Sequence, residues 1–214
     1  PKGAPVNNRE RVVLSDAEFE AFMACQDIDA ELHTMSLASR TFGGMRTSDL
    51  HAWDWAHIDT AGWRDAHVPR PKTKTKDRLA LPEVLLPVLQ SWWHASGRPV
   101  SGPVFPVRKG RRAGDRKKGK ISYAKALRGA LWRAGIVRPL PGFHDATKEV
   151  ERRALCLIQV GSEHYLPLDF HSFRRAYNTG LARAGVNVQT AMRLAGHRNP
   201  STHMRYVMNT EALS

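Results

Sequence analysis

The chain has 214 residues, 33 Lys and Arg against 20 Asp and Glu, a formal net charge of +13, and 42% hydrophobic residues. That is enough apolar material for a core in one large or two small domains, and a positive excess of this size points to a polyanionic partner, nucleic acid above all. Cys25 and Cys156 stand in unrelated contexts, which excludes a disulfide framework or a cysteine metal cluster. No secretory signal or long apolar run occurs, so a cytoplasmic protein with no membrane partner is expected.

Residues 1 to 13 are polar and read as a linker from a preceding DNA-binding domain, leaving 14 to 214 as the main domain. Ser15-Asp16-Ala17-Glu18 has the capping-box pattern and opens a helix with Phe19, Phe22 and Met23 inward. A second helix is expected from about Ile28 to Phe42, with Leu32, Met35, Leu37 and Phe42 on its apolar side. Gly43-Gly44 breaks it, and Met45 to Trp53 holds a short third helix. Arg46 stands at that helix start with Asp49 one turn on. By itself it reads more readily as a surface arginine in a weak ion pair with Asp49.

Strand-like pieces follow at Trp55 to Asp59, Trp63 to Val68 and Arg78 to Leu81, which predicts a small three-stranded antiparallel sheet. The second connection, PRPKTKTKD, carries Lys72, Lys74 and Lys76 on a hairpin tip. Such a tip is either a solvated turn or a probe into a DNA groove that brings a proton donor. Pro82 to Ser96 is a helix with Val84, Leu85, Val88, Leu89 and Trp92 inward, closed by Gly97, and Val104-Phe105-Pro106 is an apolar anchor.

Residues 108 to 120, RKGRRAGDRKKGK, hold eight Lys or Arg in thirteen positions. Arg108, Lys109, Arg111, Arg112, Arg116, Lys117, Lys118 and Lys120 are therefore candidate phosphate contacts. At that density the segment should be mobile alone and order only against phosphates. Gly114 to Lys120 imitates a nucleotide-binding GxxxxGK loop, but Ile121 replaces the required Ser or Thr and no buried strand precedes it. Ser122 to Ala134 is a helix with Ala126, Leu127, Ala130 and Leu131 inward and Lys125, Arg128 and Arg133 outward. Within 137 to 169, which reads as an insertion, a charged helix at Ala146 to Ala154 is followed by a strand at Leu155 to Val160, with Tyr165 to Phe170 pairing back. His144-Asp145 lies in a Pro/Gly loop and reads as a turn.

The last stretch, HSFRRAYNTGLARAGVNVQTAMRLAGHRNPSTHMRY, is the chemically dense one. His171 and Arg174 share one helix face, while Phe173, Ala176, Tyr177, Leu181 and Ala184 face a core. Ala184-Gly185 ends that helix. A short helix from Val188 to Ala195 ends at Gly196 and presents His197. Pro200 starts another, which carries Tyr206 nine residues after His197. A guanidinium binds phosphate through paired charge-assisted hydrogen bonds, histidines donate to non-bridging oxygens, and a tyrosine hydroxyl can attack phosphorus.

In order and spacing these segments resemble the tyrosine recombinases, or phage-type integrases. GGMRTSDLHAWDW is similar to their first box, KTKDRLALP to their hairpin, HSFRRAYNTGLARAG to the second box and LAGHRNPSTHMRY to the third. The resemblance implies an α+β fold, mainly helical with the small three-stranded sheet, as in the catalytic domain of that family. It implies catalytic roles for Arg46, Lys74, His171, Arg174, His197 and Tyr206, with Asp49 in support and Lys72 or Lys76 as alternatives to Lys74. It further implies cleavage and rejoining of double-stranded DNA through a covalent 3′-phosphotyrosine, with no cofactor, metal or ATP. A homo-oligomer on DNA, a tetramer, and a monomer without it are expected, in a bacterial or phage-encoded protein associated with the nucleoid. Two competing readings remain. A non-catalytic helix-turn-helix regulator would use residues 171 to 196 but leaves Arg46, the lysines and Tyr206 without a task. A type IB topoisomerase-like enzyme would share the pocket but not the strand exchange.

Overall fold

The computed structural model describes residues 13–119, 121–136, 157–160, 164–167, 169–201 and 204. The expected linker (apart from Val13), Lys120, the His144-Asp145 pair, the Ala146 to Ala154 helix and Tyr206 lie outside these described residues.

Helix α1 spans Asp16–Ala24, and its capping box is formed: Glu18 N–H donates to Ser15 Oγ at 3.2 Å and Ser15 N–H to the Glu18 carboxylate at 2.9 Å. Asp29 caps α2, Ala30–Thr41, by accepting from the amides of Glu31 and Leu32. Leu32, Met35, Leu37 and Ala38 are buried along α2, and so are Thr34, Ser36 and Ser39. Small polar residues on the second face let neighbouring segments approach this helix closely. The hydroxyls of Thr34 and Ser39 are satisfied by the carbonyls of Ala30 and Met45.

Helix α3 is Thr47–Ala52. Helix α4, Leu86–Ala95, follows a 3-10 turn at Glu83–Leu85. Next in the chain come helices α5, Ala124–Arg133, α6, His171–Arg183, and α7, Val188–Ala195, and Pro200, Ser201 and Met204 are also helical. The most extensive packing of α6 is against α2. Phe173 of α6 meets Phe19 at 5.7 Å and Phe170 at 5.3 Å between ring centres, both edge-on, and Phe170 lies 5.6 Å from Tyr123. Contacts of this geometry add about 0.5–1.5 kcal/mol each beyond buried area. A second aromatic group, Phe42, Trp53, Phe105 and Trp92, closes the other side of the core.

Strands β1, Asp65–Arg70, and β2, Thr75–Ala80, form an antiparallel hairpin in register from Asp65↔Ala80 to Arg70↔Thr75. The expected third strand at Trp55 to Asp59 is not formed. Trp55–His57 is a 3-10 turn, and only a single bridge, Ile58↔Ala66, remains of the pairing. The cause is Asp54, whose carboxylate accepts the amide hydrogen of Ala56 at 3.0 Å and that of Gly102 at 2.9 Å, which bends the chain where a strand would run straight. A second hairpin, β3 Leu157–Val160 with β4 His164–Pro167, pairs antiparallel as expected.

Three residues expected to face inward do not. Val84 is 58% exposed because it sits in the 3-10 turn ahead of α4, where the angle per residue differs from that of an α-helix. Ala126 and Ala184 are also exposed. The basic segment differs more. Instead of awaiting phosphates it is folded on the protein: Val107 N–H donates to Asp115 O at 2.8 Å and Gly114 N–H to Val107 O at 2.9 Å, with a bridge between Pro106 and Arg116.

Candidate functional site: arginines and histidines around the Gly43-Gly44 turn

The turn Gly43-Gly44 ends α2, and both glycines hold positive φ, 63° and 54°. A Cβ on Gly44 would lie 2.8 Å from the Tyr177 ring and 3.3 Å from Arg174 Cγ, so only glycine lets α6 come this close. The turn delivers Arg46 to the start of α3. There the Arg46 amide donates to Asp49 Oδ2 at 2.9 Å, and its Nη1 lies 3.7 Å from the same oxygen. Arg46 Nη1 is buried and has no hydrogen-bond partner among the described residues.

Arg174 reaches the same turn from α6. It is 1% exposed, and its Nη1 donates to Gly44 O at 2.5 Å while its Nη2 donates to Ala195 O at 2.6 Å. One guanidinium thus joins the segment before Arg46 to the C-terminal end of α7. Gly196 then turns in the left-handed conformation, φ 61°, and places His197, which is buried, directly after it. The His197 amide donates to Met192 O at 2.8 Å.

His171 opens α6 one turn before Arg174. Burial first, then the Arg175 and Arg174 charges, with a smaller push from Arg46, holds its imidazole down at about 4 against an ordinary 6.5, Asp169 opposing them. The ring is therefore neutral at neutral pH, and the charges of Arg46 and Arg174 are both felt there. His51, outside the site, is likewise held at about 4 by burial and by Lys117. For both, the unfolded chain takes up a proton near pH 6.5 while the folded protein resists until about pH 4. Stability should thus fall as pH drops through that window and be insensitive to these groups above it. Thermal melts from pH 7.5 to 4.5 check this: His51→Gln and His171→Gln should each flatten the slope, and an unchanged slope in both contradicts it.

The hairpin tip is shorter than the sequence suggested. Pairing runs through Pro69↔Lys76 and Arg70↔Thr75, which leaves Pro71 to Lys74 as the turn. Lys72, Lys74 and Lys76 are all exposed, and Lys74 takes a positive φ of 55°, unusual for a residue with a side chain. Arg198, just past His197, donates from Nη2 to Thr73 O at 2.8 Å, so the turn lies over the end of α7.

Sequence reasoning missed Arg70. It is 1% exposed, pairs with Asp49 at 3.3 Å and Asp77 at 3.1 Å, and donates to Gly43 O and Leu194 O. The available signal was the two-residue period: Ala66, Val68 and Arg70 alternate inward on β1. Asp49 is the buried carboxylate between Arg46 and Arg70, with no exposed side-chain surface.

In the basic segment, Arg116 pairs with Asp54 at 2.6 Å and donates to the carbonyls of His51 and Trp53. Lys117 pairs with Glu31 and lies 3.2 Å from the Tyr123 hydroxyl. Arg108 pairs with Asp29 and Arg112 with Asp115. Lys109, Arg111 and Lys118 are exposed and form no ion pair with another described residue.

Solved structures share this architecture. The crystal structure of XerA recombinase superposes with a TM-score of 0.64 at 16% identity, over 97% of this chain and 61% of that one. The catalytic domain of bacteriophage HP1 integrase matches with a TM-score of 0.54 at 15% identity, over 93% of this chain and 88% of that one. The fold is that of a tyrosine recombinase catalytic domain. The phage integrase family model matches residues 13–212, and the chain belongs to that family. Integrase/recombinase proteins of Escherichia coli and Pseudomonas aeruginosa are each 32% identical over 146 residues, 62% of this chain. The chain spans 42% of the length of these relatives. Among the described residues no helix is long and apolar enough to cross a membrane.

Proposed function

We propose that this chain is the catalytic domain of a site-specific DNA recombinase that cleaves and rejoins DNA through a covalent 3′-phosphotyrosine on Tyr206, with neither metal nor ATP. The observation that carries the proposal is a buried guanidinium nitrogen of Arg46 without a hydrogen-bond partner among the described residues, in an arginine whose charge, like that of Arg174, is felt at a neutral His171. A buried donor left unmet is costly, and an anionic phosphate oxygen is the ligand that satisfies it best.

In this reading Arg46 and Arg174 hold the two non-bridging oxygens and stabilise the charge of the pentacoordinate transition state. His171, uncharged, can take the proton from the attacking tyrosine hydroxyl, and His197 adds a hydrogen bond to phosphate. Lys74, exposed on the hairpin turn, protonates the departing 5′-oxygen. The phosphodiester energy is kept in the tyrosyl ester, so a 5′-hydroxyl religates it without an external donor. Asp49 supports the arginines. Structures of related fold contain the Tn1549 transposon integrase with transposon right end DNA and a lambda integrase tetramer on a Holliday junction. They support DNA as partner, with assembly on it up to a tetramer; in our reading the partner is double-stranded and the protein without it is a monomer.

The experiment uses the full-length protein and a nicked duplex from the joined ends of the genetic element that encodes it. Wild type should accumulate a covalent protein–DNA adduct. Tyr206→Phe should bind the duplex with unchanged affinity and form none. Adduct with the phenylalanine variant would refute the assignment, and relaxation of supercoils without exchange between duplexes would favour the topoisomerase-like alternative.

For backbone contacts we assign Lys109, Arg111 and Lys118 ahead of their paired neighbours. Replacing each by Gln should lower the slope of log K against log salt by about 0.9 for every phosphate that is no longer neutralised. Arg116→Gln should instead lower the melting temperature, because it leaves Asp54 and two carbonyls without their donor. An unchanged slope in all three surface variants contradicts the assignment.

A further inference from the structure

The proposed site is built from two bodies, a floor and a hairpin. The floor comprises the Gly43-Gly44 turn and the C-terminal end of α7, and Arg174 joins them through Gly44 O and Ala195 O. The β1–β2 hairpin carries Lys74 and meets the floor through Arg70 and, at the turn itself, through Arg198, which donates to Thr73 O. From the last residue of β1 the Arg70 Nη2 donates to Gly43 O at 2.8 Å and Leu194 O at 3.1 Å, and its Nη1 meets Asp49 at 3.3 Å. Its Nε meets Asp77 of β2 at 3.1 Å, which fixes the plane of the guanidinium from within the hairpin. A Cβ on Gly196 would fall 2.7 Å from that Nε, so the backbone before His197 is itself shaped to Arg70.

We propose that Arg70 is a positioning residue: it locks the hairpin to the floor and so sets where the Lys74 ammonium meets the leaving oxygen, without touching DNA itself. The inference rests on the recombinase reading above. Arg70 begins the turn, its own carbonyl accepting the Thr73 amide at 3.0 Å, so only three residues separate the anchor from the proton donor. A lysine at position 70 would keep the charge beside Asp49, but one ammonium cannot reproduce a planar fork that serves two carboxylates and two carbonyls. Because Arg174 holds the floor together independently, loosening the hairpin should impair leaving-group protonation while phosphate binding persists.

The test measures adduct formation by full-length Arg70→Lys on two nicked duplexes, one ordinary and one with sulfur at the 5′-bridging position of the scissile phosphate. The thiolate leaves without a general acid. The variant should lose about 10²-fold in adduct rate on the ordinary duplex, the scale of a misplaced general acid, with unchanged DNA affinity, and return to near the wild-type rate on the sulfur duplex. Equal losses on both duplexes, or no loss on either, would overturn the inference. If Arg70→Lys does not fold, Asp77→Asn replaces it, with a smaller loss expected on the ordinary duplex and the same recovery; no loss, or no recovery, overturns it. Wild-type protein that forms no adduct with either duplex would instead refute the recombinase reading.

Discussion

Arg174→Ala is expected to abolish DNA cleavage, with a loss of about 10³-fold or more, and to destabilise the fold at the same time. The catalytic part follows if Arg174 contacts the transition state, because removal of one such preorganised donor typically costs about 10²–10³-fold, and here the donor is charged. The structural part follows from what is left behind. Gly44 O and Ala195 O would each lose a short bond to a buried guanidinium, at about 1–3 kcal/mol for each acceptor stranded in the interior. Arg174→Lys separates the two effects. It keeps a positive charge but cannot span both carbonyls, so stability should recover in part while cleavage stays low. Adduct assays paired with thermal melts decide the matter. Arg174→Ala cleaving within tenfold of wild type would contradict the account.

Asp49→Ala should be the most damaging change to stability away from the apolar core. Its carboxylate is completely buried, accepts the Arg46 amide and pairs with Arg70, which is itself buried. Removing one partner of a buried pair costs up to about 3–5 kcal/mol, and Asp77, itself partly exposed, is then the one carboxylate left to Arg70 among the described residues. The same change releases the start of α3 and with it Arg46. Denaturant unfolding of Asp49→Ala against Asp49→Asn checks this. Asn preserves an acceptor for the Arg46 amide and should recover part of the loss, whereas two variants as stable as wild type would show that Arg70 finds compensation elsewhere.

These two residues also show how far the sequence could be read. Asp49 stood one turn after Arg46, so a local pairing was visible, and so was the Ser15–Glu18 capping box, because both depend on neighbours three residues apart. Helix α7 was legible to the residue, since Gly196 stops it where a left-handed turn is needed. Arg70 was not, because PRPKTKTKD has the composition of an exposed turn, while its partners lie 21 residues away at Asp49 and 124 away at Leu194. Burial of a charge depends on which distant groups meet it; the alternation of Ala66, Val68 and Arg70 marks the inward face but does not name those partners. The basic segment misled for the same reason: charge density suggested mobility, but Glu31 and Asp54, far back in the chain, neutralise Lys117 and Arg116. The missing third strand has a local cause, an aspartate that caps a turn inside an otherwise strand-like run.

The site itself was legible as residue types in order, and the structure adds that the charges of Arg46 and Arg174 both reach His171, together with a buried Arg46 nitrogen left unmet among the described residues. Peptide mapping of a trapped protein–DNA adduct addresses the central claim most directly. The account predicts one DNA-linked peptide, modified at Tyr206, whose yield collapses when Arg46 or Arg174 is replaced. An adduct at any other residue, or undiminished yield without those arginines, would contradict it.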